Sequence, residues 1–265
     1  MAWRAVARSV IGTSHQKQQL PCQDYGDCKI FNVVIVGAVA DGSGSAKYAD
    51  VGAKLAVKMV LEKLTGIETW LQKRKRFWEL THKPLSEKEA RELFAKTVEE
   101  VVTALQSQAA SDGHSIDDLA CTLLVVVATR DWVAAMQIGD GFIVVRFEQE
   151  NPQLLFPPDK GEFINETTFV TSANALDAMR VCVRAGEQEF IWAATDGLER
   201  VAIRMSDWTP FAPFFQPLEE YLHETSDPEQ EDEYLMSFLD SDRLKARTDD
   251  DKTLLLSFYD TSHSR

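Results

Sequence analysis

Several features that define large classes of proteins are absent from this sequence. The first residues lack the long apolar core of a signal peptide, and no apolar run approaches the roughly 20 residues that span a bilayer. No Gly-, Ser- or Pro-rich linker divides the 265 residues, and no internal repeat is visible. These absences predict a single domain, residues 1–265, that is soluble and located in the cytoplasm.

Cysteine and basic side chains are both scarce. The four cysteines, Cys22, Cys28, Cys121 and Cys182, lack the paired spacing of zinc or redox motifs, so we expect reduced thiols. Lys and Arg number 28 against 42 Asp and Glu, which gives a formal net charge of −14. Because so acidic a surface repels phosphate backbones and anionic lipids, we expect no binding to nucleic acids or membranes. The same charge favours divalent cations wherever carboxylates converge.

Apolar residues recur in patterns that predict both strands and helices. Apolar runs rich in β-branched residues predict strands at 31–40, 119–129, 132–138, 142–147, 180–184, 190–194 and 253–259. Apolar residues at three- and four-residue spacing predict helices from Ala49, over 68–80, from the capping box of Ser86 and Glu89, and over 215–247. Many hairpin-linked strands and a few long helices predict an antiparallel α+β fold in which helices flank sheets.

Three of the apolar runs end in the same dipeptide, at Asp41-Gly42, Asp140-Gly141 and Asp196-Gly197. A tight turn after a strand explains one such pair, and for Asp140 a hairpin turn is as good an explanation as any other. The turn explains Asp41 less well, because a helix follows it. The alternative is that several strands deliver carboxylates to one rim, where oxygen ligands suit magnesium or manganese rather than zinc.

Six short motifs, in order along the chain, resemble those of the type-2C metal-dependent protein phosphatases. They are PCQDY with Asp24, ADGSG (40–44), LACTLLV (119–125), IGDG (138–141), ATDGLER (194–200) and DDKTLLL (250–256). Each lies at the start or end of an apolar run. The segments SHQKQQLPCQD and GEFINETTF are similar in particular to a bacterial branch of this family.

The resemblance implies a four-layer α-β-β-α sandwich of two mostly antiparallel sheets flanked by helices, with a metal site at one end. The implied ligands of two Mn²⁺ or Mg²⁺ ions, and of a possible third, are Asp41, Gly42, Asp196, Asp250 and Asp140. Asp41 would bridge two ions, Asp140 would hold the third, and Asp24 would act through metal-bound water. The implied catalytic residues are Asp24, Asp41, Asp196 and Asp250. A water activated by two metal ions would then hydrolyse phosphoserine or phosphothreonine.

Several positions depart from the family's pattern. Gln23 stands where a Glu is usual, Ser43 where some members have a histidine, and Asp251 where Asn is usual. The usual phosphate-binding Arg is missing. Lys17 or His15 are the candidates to bind substrate in its place, although Lys lacks the bidentate fork of Arg and a solvated loop explains both residues at least as well.

The resemblance implies a phosphorylated protein as partner and a signalling role that opposes a protein kinase. Specificity in the family lies in a variable segment, here 149–174, whose Asn165, Thr167 and Thr168 are candidate substrate contacts; a plain surface loop explains them equally well. The alternative function is a catalytically silent module that binds phosphoproteins through the same fold. The presence of all three principal metal-holding acids favours the enzyme.

Overall fold

Two five-stranded antiparallel sheets form the centre of the molecule in the computed structural model, which describes residues 2–67, 83–157 and 167–261. The strands in chain order are β1 (Ala2–Val10), β2 (Tyr25–Phe31), β3 (Val34–Ala40), β4 (Leu123–Ala128), β5 (Trp132–Ile138), β6 (Phe142–Phe147), β7 (Gln153–Leu154), β8 (Arg180–Ala185), β9 (Gln188–Ala194), β10 (Ile203–Arg204), β11 (Thr209–Pro210) and β12 (Lys252–Asp260). Sheet I has the order β1-β12-β9-β6-β7, and sheet II has the order β2-β3-β4-β5-β8. The short strands β10 and β11 pair with each other outside both sheets.

The two sheets face each other across a shared hydrophobic core. Ile35 and Val39 of β3 are buried in this core together with Leu255 of β12. Alternate residues of the same strands, such as Val36 and Leu256, point the other way and are buried in the outer cores. Because both faces of each central strand are covered, these strands are continuous apolar runs rather than alternating ones.

Helices cover the outer face of each sheet. In chain order the described helices are α1 (Thr13–Gln18), α2 (Ala49–Lys63), α3 (Glu87–Asp112), α4 (Ala175–Ala178), α5 (Glu199–Ala202), α6 (Ala212–Glu224), α7 (Glu233–Leu239) and α8 (Asp242–Lys245), with 3₁₀ turns at Leu64–Gly66, Ile116–Leu119 and Asp196–Leu198. Helices α2 and α3 pack on sheet II, and α6, α7 and α8 pack on sheet I. This order of layers confirms the predicted α-β-β-α sandwich.

Helix α3 begins at the capping box that the sequence predicted. The Ser86 hydroxyl accepts a hydrogen bond from the N–H of Glu89 at 3.3 Å, and the Glu89 carboxylate accepts one from the N–H of Ser86 at 2.9 Å. The apolar stripe of the helix, which includes Phe94, Val98 and Val101, is buried against sheet II. The cap therefore fixes where α3 starts, and the stripe fixes which face it buries.

The strand predicted over 31–40 is present as β3 but begins only at Val34, because Phe31 is the last residue of β2. The chain turns at Asn32, whose φ of 44° lies in the left-handed region that asparagine tolerates. Strand β2 was not predicted, since the polar residues Asp27 and Lys29 interrupt its apolar pattern at the edge of sheet II. Strand β1, at the edge of sheet I, was also missed. Edge strands are only partly covered, so their sequences carry a weaker signal.

Two further boundaries differ from the prediction. The strand predicted over 119–129 begins only at Leu123, because a 3₁₀ turn capped by the Ser115 side chain precedes it. The helical region predicted over 215–247 contains three separate helices. The first of them ends at Thr225, where ψ is 130° and the backbone becomes extended.

The predicted helix 68–80, with its KRKR run, lies outside the described residues. Of the helices that the structure does describe, none combines the length and the apolar character that a bilayer crossing requires. The four cysteines are free thiols.

The shared core between the sheets should dominate stability. Leu255 is 1% exposed in that core, whereas Leu176 on α4 is 38% exposed. We expect Leu255→Ala to lower the free energy of unfolding by about 2–5 kcal/mol through lost burial and a residual cavity, and Leu176→Ala to change it by less than about 0.5 kcal/mol. Urea unfolding of the two variants measures both. Equal losses of stability in the two variants would contradict the burial of the Leu255 side chain between the sheets.

Candidate active site

The register of the strands brings five acids to one end of the two sheets. Tyr25 pairs with Ala40 in sheet II, and Ala194 pairs with both Phe142 and Leu254 in sheet I. The loops directly beyond these pairs therefore meet. They carry Asp24, Asp41, Asp140, Asp196 and Asp250. The apolar runs end in acids because the strands end at this rim.

Three of the five acids lie in direct proximity. Carboxylate oxygens of Asp41, Asp140 and Asp196 are all within 4.8 Å of one another. Asp24 is buried beside them, with its carboxyl group in hydrogen-bonding range of that of Asp41. Asp250 is exposed and is not one of the three, although its negative charge acts on both Asp41 and Asp196.

Burial and repulsion by neighbouring carboxylates raise the pKa values of Asp24, Asp41, Asp196 and Asp250. For Asp41, burial is the largest cause and the charges of Asp24 and Asp196 follow. Burial also raises the pKa of Asp196, with further contributions from Asp140 and Asp250. Groups that resist ionisation for this reason are stabilised as carboxylates by a divalent cation. The donors at this rim are oxygens, which suit hard cations such as Mg²⁺ and Mn²⁺, so the residues present fit a metal centre.

Two threonine hydroxyls orient the acids. Thr195 Oγ1 donates a hydrogen bond to Asp24 Oδ2 at 2.6 Å and accepts one from the N–H of Thr253 at 3.0 Å. Thr122 Oγ1 accepts a hydrogen bond from the N–H of Asp41 at 3.0 Å. Sequence reasoning included both threonines in motifs but gave them no role. The available signals were the position of Thr195 directly before Asp196-Gly197 and that of Thr122 directly before β4.

Asp251 joins three loops around the rim. Its carboxylate accepts hydrogen bonds from the N–H of Gly12 at 2.6 Å and of Gln23 at 2.5 Å, and it contacts His15 Nδ1 at 2.9 Å. The carbonyl of Gln23 in turn accepts a hydrogen bond from the N–H of Gly42 at 3.1 Å. The extra negative charge predicted at this position is therefore met by two backbone amides and an imidazole.

Two glycines allow the backbones of these loops to approach each other closely. A Cβ atom at Gly12 would lie 2.2 Å from the carbonyl carbon of Asp250, and one at Gly197 would lie 2.0 Å from the carbonyl oxygen of Asp251. Because both neighbours are backbone atoms, any larger residue would push the loops apart. The loop before β12 is thus clamped from two sides.

Comparison with known proteins identifies the family. Residues 11–240 match the family model described as protein phosphatase 2C. The chain belongs to this family. Serine/threonine-protein phosphatase 3 of Escherichia coli strain K12 is 33% identical to it over 271 residues, which cover 98% of this chain and 99% of the relative. The prediction of a metal-dependent phosphoprotein phosphatase is confirmed.

Solved structures of bacterial phosphatases share the fold of this 2C phosphatase. Serine/threonine phosphatase Stp1 from Staphylococcus aureus superposes with a TM-score of 0.61 at 13% identity, with 98% of this chain and 96% of the other covered. The S. agalactiae serine/threonine phosphatase gives a TM-score of 0.60 at 14% identity, with 97% and 100% covered. At these identities the likeness concerns the fold alone.

The hairpin explanation for Asp140 is wrong in this phosphatase. Strand β5 belongs to sheet II and β6 to sheet I, so the Gly139–Gly141 segment carries the chain from one sheet to the other. Thr167 Oγ1 donates a hydrogen bond to Asp140 Oδ2 at 2.6 Å. The candidate substrate contact Thr168 is half-buried, and Asn165 lies outside the described residues.

The candidate substrate-binding residues lie on α1, beside the rim. The N–H of Ser14 donates to the carbonyl of Asp249 at 2.9 Å, which fixes this helix against the loop before β12. His15 is half-buried and bonded to Asp251, as described above. Lys17 is exposed and, in the described parts of the chain, its side chain makes no salt bridge.

Glu199 is an acid near the phosphatase site that sequence reasoning missed. Burial, followed by the charges of Asp196 and Asp140, raises its pKa to about 6. It begins α5, three residues after Asp196, so its position was readable from the ATDGLER motif. No separate pattern distinguished it from an ordinary surface glutamate.

Stability of the metal-free phosphatase should fall as pH rises. Folded Asp24, Asp41 and Asp196 have raised pKa values, so the folded state binds more protons than the unfolded chain between about pH 5 and pH 8. Raising the pH across this window therefore favours unfolding. Thermal unfolding in chelator should show a falling midpoint, and Asp41→Asn should flatten the slope.

A matched control for this measurement is Glu92→Gln, which removes an exposed charge on α3. It should leave the pH slope unchanged. Added Mn²⁺ should raise the midpoint more at pH 8 than at pH 5, because the ligands are then ionised. A metal-free midpoint that climbs steadily over this range would contradict the raised pKa values.

Proposed function

We propose that the acids at the rim hold two Mn²⁺ or Mg²⁺ ions and a weaker third. Asp41 and the Gly42 carbonyl would hold the first two ions, and Asp196 and Asp250 would contribute to the second. Asp140 holds the third ion, next to Asp41 and Asp196. The observation that carries this proposal is the convergence of three carboxylates within 4.8 Å, in a chain whose net charge is −14.

We infer that the reaction is hydrolysis of phosphoserine and phosphothreonine in a phosphoprotein. When bound, the ions neutralise the phosphate and lower the pKa of a water for in-line attack. The residues of the chain orient the reactants. Asp24, held by Thr195, is suited to fix that water through a hydrogen bond. Gln23 Oε1 is buried and has no hydrogen-bond donor among the described residues, so it is a second acceptor available to a water there.

Lys17 and His15 are proposed to bind the phosphate of the substrate. Support comes from the position of α1 against the loop before β12 and from the free ammonium of Lys17. In so acidic a chain, a cation beside the rim would offset the repulsion that a phosphoester meets on approach. His15 is fixed by Asp251, which limits its rotamers and leaves the other ring nitrogen to bond elsewhere.

The proposed partner is a phosphoprotein, and the proposed role opposes a protein kinase. Such an exchange takes place in the cytoplasm, where ATP is available to the kinase. We also propose that residues 1–265 act as one domain, since acids from loops of both sheets are needed at a single rim.

Hydrolysis of a phosphothreonine peptide tests the metal assignment. The wild type should be active only with Mn²⁺ or Mg²⁺, and Asp196→Asn should lower kcat/KM at least about 100-fold, because a direct ligand matters no less than the outer contacts that cost 10–100-fold. Glu92→Gln should retain activity. An inactive wild type that still takes up metal in calorimetry would support the silent module instead, and an active Asp196→Asn would remove Asp196 from the centre.

Substrate binding by Lys17 predicts a separate kinetic signature. Lys17→Ala should raise KM about 2- to 5-fold with little change in kcat, as expected for one exposed charge. Lys17→Arg should retain the wild-type KM. Lys29→Ala, which removes an exposed charge near the far end of β2, is the matched control. Identical KM values in the two alanine variants would rule out a phosphate contact by Lys17.

A further inference from the structure

A cavity lies in the helical layer that covers sheet I. Its volume is about 610 Å³, and its walls come from α5, β10, α6, α7 and α8. The apolar part of the lining includes Met205, Phe211, Phe214 and Phe238. None of the acids assigned to the metal centre lines it. The size and the apolar lining are typical of a ligand-binding cavity.

Large apolar side chains at this cavity are left uncovered. Met205 is 44% exposed, Phe211 is 37% exposed and Tyr234 is 45% exposed. Phe214 and Phe238 beneath them pack edge to face, with ring centroids 5.5 Å apart. A contiguous exposed apolar patch with a polar rim is typical of an interaction site. The cavity therefore offers an apolar floor to an anchoring side chain.

The charged residues at the rim of this cavity are all cations. Arg200, Arg204, Arg243 and Arg247 line it, and no Asp or Glu does. Arg204 pairs with Asp207 at 3.2 Å, whereas the other three guanidinium groups form no salt bridge within the described ranges of the chain. This gathering of unpaired arginines occurs in a chain of net charge −14. An acidic partner would complement this local positive charge.

An adjacent cavity provides an internal contrast. It shares Pro217 and Tyr234 with the arginine-rimmed cavity, but its own charged lining residues are all acidic. Those acids are Glu220, Glu224, Glu231 and Glu233. The sign of the charge thus reverses across a short stretch of surface. A partner that carried basic residues would be drawn to the acidic cavity and repelled from the arginine-rimmed cavity.

We propose that the arginine-rimmed cavity docks an acidic segment of the phosphoprotein substrate that carries a large apolar anchor. The anchor fills the apolar floor, and carboxylates on either side of it pair with the guanidinium forks of Arg243 and Arg247. This inference rests on the proposed activity toward phosphoproteins. A peptide fits the observations because neighbouring residues of one chain can present an apolar side chain with carboxylates on both sides of it.

The cavity lies close enough to the metal centre to act on the same substrate molecule. Arg200 is four residues beyond Asp196 in one continuous helical segment, so their Cα atoms are about 6–8 Å apart at a rise of about 1.5–2.0 Å per residue. A spacer of about two to three extended residues, at roughly 3.3 Å each, spans that separation between the docked segment and a phosphoresidue at the rim. Docking raises the local concentration of that phosphoresidue.

The experiment compares phosphothreonine peptides with and without an acidic extension that contains a central Phe. The extended peptide should have a KM about 10-fold lower, with kcat little changed. Arg247→Glu should abolish that preference while the short peptide is still hydrolysed at the wild-type rate. Arg91→Glu, the same change at an exposed position on α3, should keep the preference. If Arg247→Glu keeps it too, the proposal is overturned.

The apolar floor has its own matched pair. Met205→Ser changes a lining residue, whereas Met236→Ser changes a methionine on α7 that is 37% exposed and does not line the cavity. Only the first should raise the KM of the extended peptide toward that of the short one. Replacing the Phe of the extension by Gly should have the same effect on the wild type. Equal effects of the two serine variants would overturn the proposal.

Fluorescence anisotropy separates this inference from the proposed function. The labelled, unphosphorylated extension should bind the metal-free wild type, bind Arg91→Glu equally, and bind Arg247→Glu at least about 10-fold more weakly. Failure to hydrolyse the short peptide would defeat the proposed function, yet this measurement would still decide the cavity. Binding of phosphatidylglycerol vesicles through Arg247, without binding of the extension, would overturn the peptide in favour of a lipid surface.

Discussion

Carboxylates packed together at the end of two sheets repel one another, and much of the surrounding structure opposes that repulsion. Carboxylate oxygens of Asp41, Asp140 and Asp196 lie within 4.8 Å of one another, and Asp24 is buried beside them. Ionising such a group is costly unless hydrogen-bond donors or cations offset the charge. The hydroxyl of Thr195 does this for Asp24. The remaining charge is left for divalent ions.

The sandwich core supplies the rigidity that this arrangement needs. Each acid lies within two residues of a strand end, and Asp41, Asp140, Asp196 and Asp250 adjoin strands that are paired on both sides, so their loops have little freedom. Buried Asp251 ties the helix α1 side of the rim to the last strand. Glycines at 12 and 197 permit contacts that no other residue would allow. These are ordinary aspartates, and their positions at one rim are what suit them to form a metal centre.

Local sequence patterns predicted most of the strands and helices and identified the acids, but they did not predict which residues contact those acids. Apolar periodicity reports burial, so it revealed the central strands and α3 and missed the half-exposed edge strand β2. It cannot report which strand pairs with which, and Asp140-Gly141 therefore read equally well as a hairpin. The Asp251 contacts join residues 228 to 239 positions apart, a separation at which no local pattern carries information. The ordered motifs, through their resemblance to a family, supplied that long-range knowledge.

The pairing of β1 with β12 has a consequence for biosynthesis. The first strand borders the last one, and the last strand is preceded by Asp250 and Asp251, which complete the rim and tie α1 to it. A chain synthesised from the N-terminus therefore leaves β1 without a neighbour in sheet I until β12 has been made. Pairing over such a separation is entropically slow. A chain that ends before Asp250 leaves the edges of β1 and β9 open and lacks one acid of the rim, so we expect such a shortened product to be inactive.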